Sequence, residues 1–186
     1  PFYESYKFDL VKQQAGMKTD FLPSEDEEYR IYKETQVVLR QNGYIQYETS
    51  NYALKGMECR HNIGYWTREN YLGLGLGAAS LIENVRYTNT SDIDAYMHGE
   101  WIAVEEPITR KAQMEEFMFL GLRMNQGVSR EVFEKNFSIS IEAIYREPLE
   151  ELKRQELLVA RAGRIYLTDK GRDLSNYCLA KFLLEK

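Results

Sequence analysis

The most regular apolar pattern in the chain begins just after a polar cluster: Ser24, Glu25, Asp26 and Glu27 precede a run in which Tyr29, Tyr32 and Leu39 keep to one face. That spacing predicts an amphipathic helix. Ser24 can cap the Glu27 N–H while the Glu27 side chain reaches back, and Asn42-Gly43 offers a left-handed stop. The pattern then switches to alternation, so that residues 44–50, rich in strand formers, predict a strand directly after the helix. Residues 1–22, with Phe2, Tyr3, Tyr6 and Phe8 irregularly spaced, predict loop with some helix. Residues 51–68 have no period and predict a long structured loop, the kind of segment that often carries function. Residues 71–80 alternate glycine with leucine and predict an extended segment, residues 81–89 one more strand, and residues 91–98 a short helix stopped by Gly99.

Beyond Pro107 the period is helical. Met114, Phe117, Met118, Gly121 and Leu122 share one face of a helix capped by Thr109, and a second helix after Gly127-Val128-Ser129 carries Val132 and Phe133. A third starts at Ser138 or Ser140, with Ile141, Ile144, Tyr145, Leu149 and Leu152 inward and Pro148 as a kink. Two short apolar runs around Arg161-Ala162-Gly163 predict a hairpin, after which Thr168 caps a last helix burying Leu174, Tyr177, Cys178 and Leu183. Three helices, a hairpin and a terminal helix are the layout of a winged helix. The fold class expected is therefore α+β.

Composition narrows the function classes. At 186 residues, 44% hydrophobic and 28% charged, the chain fits one or two globular domains rather than a disordered or collagen-like one. No apolar run approaches a membrane span and the first residues lack a signal-peptide layout, so the expectation is a soluble cytoplasmic protein. Cys59 and Cys178 are too far apart in sequence to form a C-x-x-C metal motif. Residues 1–106 carry 10 Lys+Arg against 17 Asp+Glu, and residues 107–186 carry 14 against 12. This difference suggests two structural units, 1–106 and 107–186. Neither is basic enough for nucleic acid, and the third helix exposes Glu142, Glu147, Glu150 and Glu151 against Arg146, Lys153 and Arg154, which disfavours phosphate binding.

Two stretches are candidate sites. Gly73, Gly75 and Gly77 recur at spacing two, which is not the dinucleotide fingerprint; they serve either tight packing or a ligand surface. His61 stands among Arg60, Asn62, Tyr65 and Trp66, a titratable group beside a cation and flat rings. Such a set suits a planar ligand, with the imidazole ligating iron or bonding a carboxylate and the rings stacking on a macrocycle. The alternative is an ordinary loop whose histidine is hydrogen-bonded and whose tryptophan covers the core.

Three stretches of the sequence, residues 43–53, residues 59–66 (Cys59-Arg60-His61-Asn62-Ile63-Gly64-Tyr65-Trp66) and residues 71–80, resemble the oxygen-independent coproporphyrinogen III oxidase family of radical S-adenosylmethionine proteins. The form His61-Asn62-x-x-Tyr65-Trp66 is similar to the haem-chaperone branch of that family. Leu122-Arg123-Met124 to Gly127-Val128, and residues 167–172, resemble its C-terminal helical domain. The resemblance covers residues 22–182. Thr49 departs from it, standing where the family usually has an aliphatic residue.

What the resemblance implies is a C-terminal portion of a longer protein. Residues 1–106 would end a radical-SAM partial (β/α) barrel with extension strands, and residues 107–186 would form a mostly helical winged-helix-like domain. The family binds a [4Fe-4S] cluster through a C-x-x-x-C-x-x-C motif that this sequence lacks, so the region alone is expected not to cleave S-adenosylmethionine. Asn62, Ile63 and Ala79, with Gly75 and Gly77, match the wall of the S-adenosylmethionine site. His61 matches the haem-handling histidine of the chaperone branch, with Asn62, Tyr65 and Trp66 beside it. The expected ligand is haem or another porphyrin. Haem-acceptor proteins, membrane-associated ones included, and a second copy of the chain are candidate partners. The alternatives are a true oxidase that decarboxylates propionates through a 5′-deoxyadenosyl radical, and a winged-helix interaction module.

Overall fold

The protein is described by a computed structural model over residues 23–184; the expectation for residues 1–22 lies outside the described residues. The chain divides into two compact units, Pro1–Gly43 and Tyr44–Lys186. In the first, α1 (Glu25–Gln41) starts on the expected capping box: the Glu27 N–H donates to Ser24 Oγ, and the Ser24 N–H donates to Glu27 Oε2 at 2.9 Å. The Ser24 N–H, and then the Ser24 hydroxyl, donate to Glu27 Oε2 and hold the Glu27 carboxyl below its usual range. Asn42 closes the helix, its Nδ2 donating to the Val38 carbonyl at 2.8 Å, and Gly43 follows at φ 81°.

The second unit opens with two short antiparallel strands, β1 (Ile45–Gln46) and β2 (Tyr52–Ala53). The strand expected over residues 44–50 is cut to two residues, because Glu48 turns fully inward and its Oε1 accepts from the Ser50 N–H and from Asn51 Nδ2. The backbone around Glu48 is instead taken up by a distant segment. Thr49 N–H donates to the Arg123 carbonyl at 3.0 Å, and Asn125 N–H to the Tyr47 carbonyl at 3.0 Å. Thr49, the departure from the family pattern, adds a hydroxyl bond to the same Arg123 oxygen.

Residues 60–67, expected as loop, are helical: α2 (Arg60–Thr67) ends on Arg68 in the left-handed conformation. The single strand expected over residues 81–89 is a hairpin of β3 (Ala79–Ile82) and β4 (Val85–Asn89), whose turn residues Glu83 and Asn84 both have positive φ, the geometry that matches strand twist. After α3 (Ile93–Met97), capped by Asp92, the sheet gains β5 (Ile102–Pro107), which apolar patterning had not signalled because all six residues are exposed. The order is β3-β4-β5. The glycine-rich stretch is extended only at its ends. Tyr71 pairs with Leu81, and the middle turns through Gly75 and Gly77 at φ 102° and 65°.

The helices after Pro107 follow the expected caps. α4 (Arg110–Gly121), α5 (Arg130–Phe137) and α6 (Ile141–Arg154) begin on Thr109, Ser129 and Ser140, each accepting a backbone N–H. Pro148 lacks the N–H that would reach the turn before it, and the helix kinks at Tyr145, where φ is −115°. β6 (Val128–Ser129), β7 (Leu158–Arg161) and β8 (Arg164–Leu167) form a second antiparallel sheet in the order β6-β8-β7. The main core lies here: Phe133, Phe137 and Tyr145 pack ring to ring, with Met118, Leu122, Ile141, Leu152 and Ile165 around them. Burying apolar surface at about 25 cal/mol per Å² makes this cluster the main stabilising element of the unit.

The terminal helix is broken in two, α7 (Asp169–Asp173) and α8 (Ser175–Ala180), at Leu174. The break resets the inward face, so Cys178 and Phe182 are buried whereas Leu174, Tyr177 and Leu183, expected inside, are exposed. Tyr177 donates its hydroxyl to Glu151 Oε1, which also accepts from Lys181 Nζ at 2.8 Å. The bond from Lys181, and then that from Tyr177, lowers the Glu151 pKa. No helix of the described residues is long and apolar enough to cross a membrane.

Candidate functional site

The helix α2 builds the site. His61 and Tyr65 are four residues apart, so they share a helical face, and their rings meet edge to face at 4.7 Å between centroids. Tyr65 meets Tyr71 in the same way at 4.6 Å. Tyr71 is fixed to β3 by two backbone bonds, its N–H to the Leu81 carbonyl at 2.9 Å and the Leu81 N–H to its own carbonyl at 3.0 Å. A ladder of three rings thus runs from the sheet to the exposed imidazole. Burial, and then the neighbouring Tyr65, raises the pKa of the half-buried Tyr71 phenol.

An open cleft lies along this ladder, lined by Arg60, His61, Gly64, Tyr65, Glu69, Asn70 and Tyr71. Its volume of about 120 Å³ is well below the roughly 300 Å³ at which pockets begin to enclose drug-sized ligands. A macrocycle would lie across this face rather than inside it. Arg60 brings a guanidinium that can pair with carboxylates.

On the opposite side α2 is tied to the second half of the unit. The Arg123 guanidinium stacks 4.4 Å from the Trp66 ring centre, so Trp66 faces α4's C-terminal end and is not part of the cleft lining. Both the indole N–H of Trp66 and Nε of Arg123 are buried without a hydrogen-bond partner among the described residues. At the end of α2, Arg68 Nε donates to Glu116 Oε2 at 2.9 Å and Arg86 Nη2 donates to Glu116 Oε1 at 2.7 Å. One carboxylate of α4 therefore clamps α2 to β4. The bond to Glu116 is the main reason that the Arg86 pKa is raised.

Of the residues singled out by sequence, His61 and Tyr65 come together in the cleft. Asn62 and Ile63 are half-buried on α2 outside its lining. Gly75 and Gly77 stand in the turn before β3, with open space where a side chain would be, and Ala79 is exposed at the start of β3 opposite Thr88. Gly73 alone is packed, since an added Cβ would meet the Ala79 carbonyl at 2.1 Å. Sequence reading missed Tyr71, Glu69 and Asn70 as cleft residues and Glu116 as the clamp. The four-residue spacing of His61 and Tyr65 was the available signal, hidden by reading the segment as loop. No group of three or more His, Cys, Asp and Glu among the described residues could hold a metal ion. Cys59 is exposed and Cys178 lies in the distant core. The described residues therefore do not supply the ligand set of an iron–sulfur cluster.

Residues 108–174 match the family model described as the HemN C-terminal domain. The haem chaperone HemW of Lactococcus lactis is 43% identical over 185 residues, 98% of this chain and 48% of that protein. By sequence the chain is similar to the HemN and HemW proteins over their C-terminal part. HemW of Bacillus subtilis is 33% identical over 88% of this chain and 45% of its own length, and HemW of Escherichia coli 29% over 91% and 46%. The chain thus spans about half the length of the curated relatives it matches. Among solved structures, Escherichia coli coproporphyrinogen III oxidase (HemN), described as a radical SAM enzyme, matches with a TM-score of 0.71 over 91% of this chain and 44% of its own. At 20% identity that likeness fixes the fold, an α+β arrangement shared with HemN.

Proposed function

We propose that this region acts in a haem chaperone of the HemW type and that His61 is its haem contact. The observation that carries the reading is the solvent-facing imidazole of His61, held by Tyr65 at an open cleft beside Arg60. Imidazole is a common axial ligand of haem iron, and a guanidinium pairs with carboxylates such as propionates. An open face suits a ligand that is handed on. The name of the relatives supports haem as the cargo.

The finer architecture belongs to the same proposal. Residues 1–106 end a radical-SAM partial barrel, and residues 107–186 form a winged-helix-like domain. The likeness to HemN supports the first, and the order α4, α5, α6 followed by the β7–β8 hairpin supports the second. Asn62, Ile63, Gly75, Gly77 and Ala79 form a wall toward S-adenosylmethionine, for which the open backbone at Gly75 and Gly77 leaves room. Haem acceptors and a second copy of the chain are the partners; the exposed edge strand β5 supports the second. The setting proposed is the cytoplasm.

The test is titration of ferric haem into the full-length protein and its His61→Ala variant, read by the Soret band and by transfer to an apo-acceptor. A changed spectrum or slower transfer is expected in the variant. Identical behaviour would remove His61 from haem handling. Anaerobic formation of protoporphyrinogen from coproporphyrinogen III would move the reading to the oxidase branch.

A further inference from the structure

We infer that Tyr65 and Tyr71 are positioning residues that orient the His61 imidazole, an inference that rests on the haem-contact reading above. An exposed histidine on a two-turn helix ordinarily samples several rotamers, and each is lost at some cost when a ligand fixes it. Here the imidazole is not free in that sense. Its ring meets Tyr65 at an interplanar angle of 77°, and Tyr65 meets Tyr71 at 78°, both in the edge-to-face arrangement that aromatic pairs prefer.

The ladder ends on something rigid. Tyr71 is held by paired backbone bonds to Leu81, a residue of β3 that is 5% exposed. Successive contacts therefore tie the imidazole orientation to the sheet, whereas α2 alone would leave the ring to its own rotamers. Gly64 and Glu69 line the cleft beside the three rings. Tyr65 is 37% exposed and its ring meets both His61 and Tyr71, so its replacement by leucine removes ring contacts from a side chain at the surface rather than from the core. The phenol oxygens are not needed for ring-to-ring packing, which separates this role from a tyrosinate ligand, and Tyr71, which meets Tyr65 rather than the imidazole, separates it from stacking of Tyr65 on the macrocycle.

The experiment compares ferric haem complexes of the full-length protein, of His61→Ala, and of Tyr65→Leu, Tyr65→Phe and Tyr71→Leu. Affinity is read from the Soret titration, the axial ligand from low-temperature electron paramagnetic resonance, and folding from the thermal midpoint. Tyr65→Leu is expected to weaken haem binding by about 2- to 12-fold, the equivalent of one aromatic pair. It should also broaden or shift the histidine-ligand resonance while the thermal transition stays cooperative, its midpoint lowered by no more than a few degrees. Tyr71→Leu is expected to move both readouts in the same direction, and Tyr65→Phe to match the wild type within about twofold. An altered His61→Ala complex together with wild-type affinity and resonance in Tyr65→Leu would overturn the positioning role while leaving the haem contact standing. An unaltered His61→Ala complex would overturn the haem contact itself. Should Tyr65→Leu fail to fold, Tyr71→Leu reads the same ladder one ring away, and wild-type behaviour there overturns the inference equally.

Discussion

Replacing Glu116 with glutamine should cost far more than the loss of an ordinary surface ion pair. The Arg68 side chain is 9% exposed and that of Glu116 11%, so their bond at 2.9 Å is a buried pair, and removing one partner of such a pair costs about 3–5 kcal/mol. Arg86, at 38% exposure, can turn to water and adds roughly 0–1 kcal/mol. Arg68 keeps one contact, its Nη2 bond to Asn84 Oδ1 at 3.2 Å, which places the total near the low end, about 3–4 kcal/mol. For a unit spanning residues 44–186 that corresponds to a fall in Tm of about 10 °C. Urea unfolding followed by tryptophan fluorescence in a Trp101→Phe background, which leaves Trp66 on α2 as the reporter, reads the loss where the clamp acts. A double replacement, Glu116→Leu with Arg68→Met, should recover most of the stability lost in Glu116→Leu alone, because the apolar pair leaves no unpaired charge buried and Arg86, at 38% exposure, reaches water. A loss below about 1 kcal/mol for Glu116→Gln, the range of an exposed pair, would refute the reasoning. So would an Arg68→Met change that rescues nothing.

Gly127→Ala should destabilise by at least about 3 kcal/mol in the same assay, since φ is 61° and the new Cβ would meet the Ile165 carbonyl at 1.9 Å, forcing β6 from β8. Ala162→Gly should stabilise by roughly 0.5 kcal/mol: Ala162 sits at φ 50°, and relieving about 1–2 kcal/mol of left-handed strain exceeds the roughly 0.4–1 kcal/mol of entropy that glycine adds to the unfolded chain. Cys59 should react with a thiol reagent in the native state and Cys178 only on unfolding, as mass spectrometry of the labelled protein would show. Burial raises the Cys178 pKa above its ordinary value of 9.0, so the unfolded chain releases that proton first as pH rises, and stability should fall from about pH 9 upward less steeply in Cys178→Ala.

Much of the fold was legible because local chemistry and tertiary packing agreed. The Ser24 capping box, the Thr109 and Ser140 caps, the Pro148 kink and the Ala162-Gly163 turn are each specified within a few residues, and each stands in the structure. Reading failed where distant partners decide. Residues 44–50 have the composition of a strand, yet Glu48 is drawn inside and the segment bonds to residues 123–125. Residues 60–67 lack an apolar period because α2 divides its surface between a clamp to α4 and an open ring face, neither of which needs a continuous apolar stripe. The edge strand β5 is exposed throughout and leaves no buried face to mark it.

For the candidate site, the sequence by itself determined the residue types: an imidazole, a guanidinium and flat rings within one short segment. Only the tertiary structure decided which of them act together. Coiling residues 60–67 into a helix sets His61 over Tyr65 and turns Trp66 to Arg123, and the pairing of Tyr71 with Leu81 delivers the third ring from outside the segment. Helical periodicity and cross-strand pairing place side chains by geometry in space, and adjacency along the chain does not encode it.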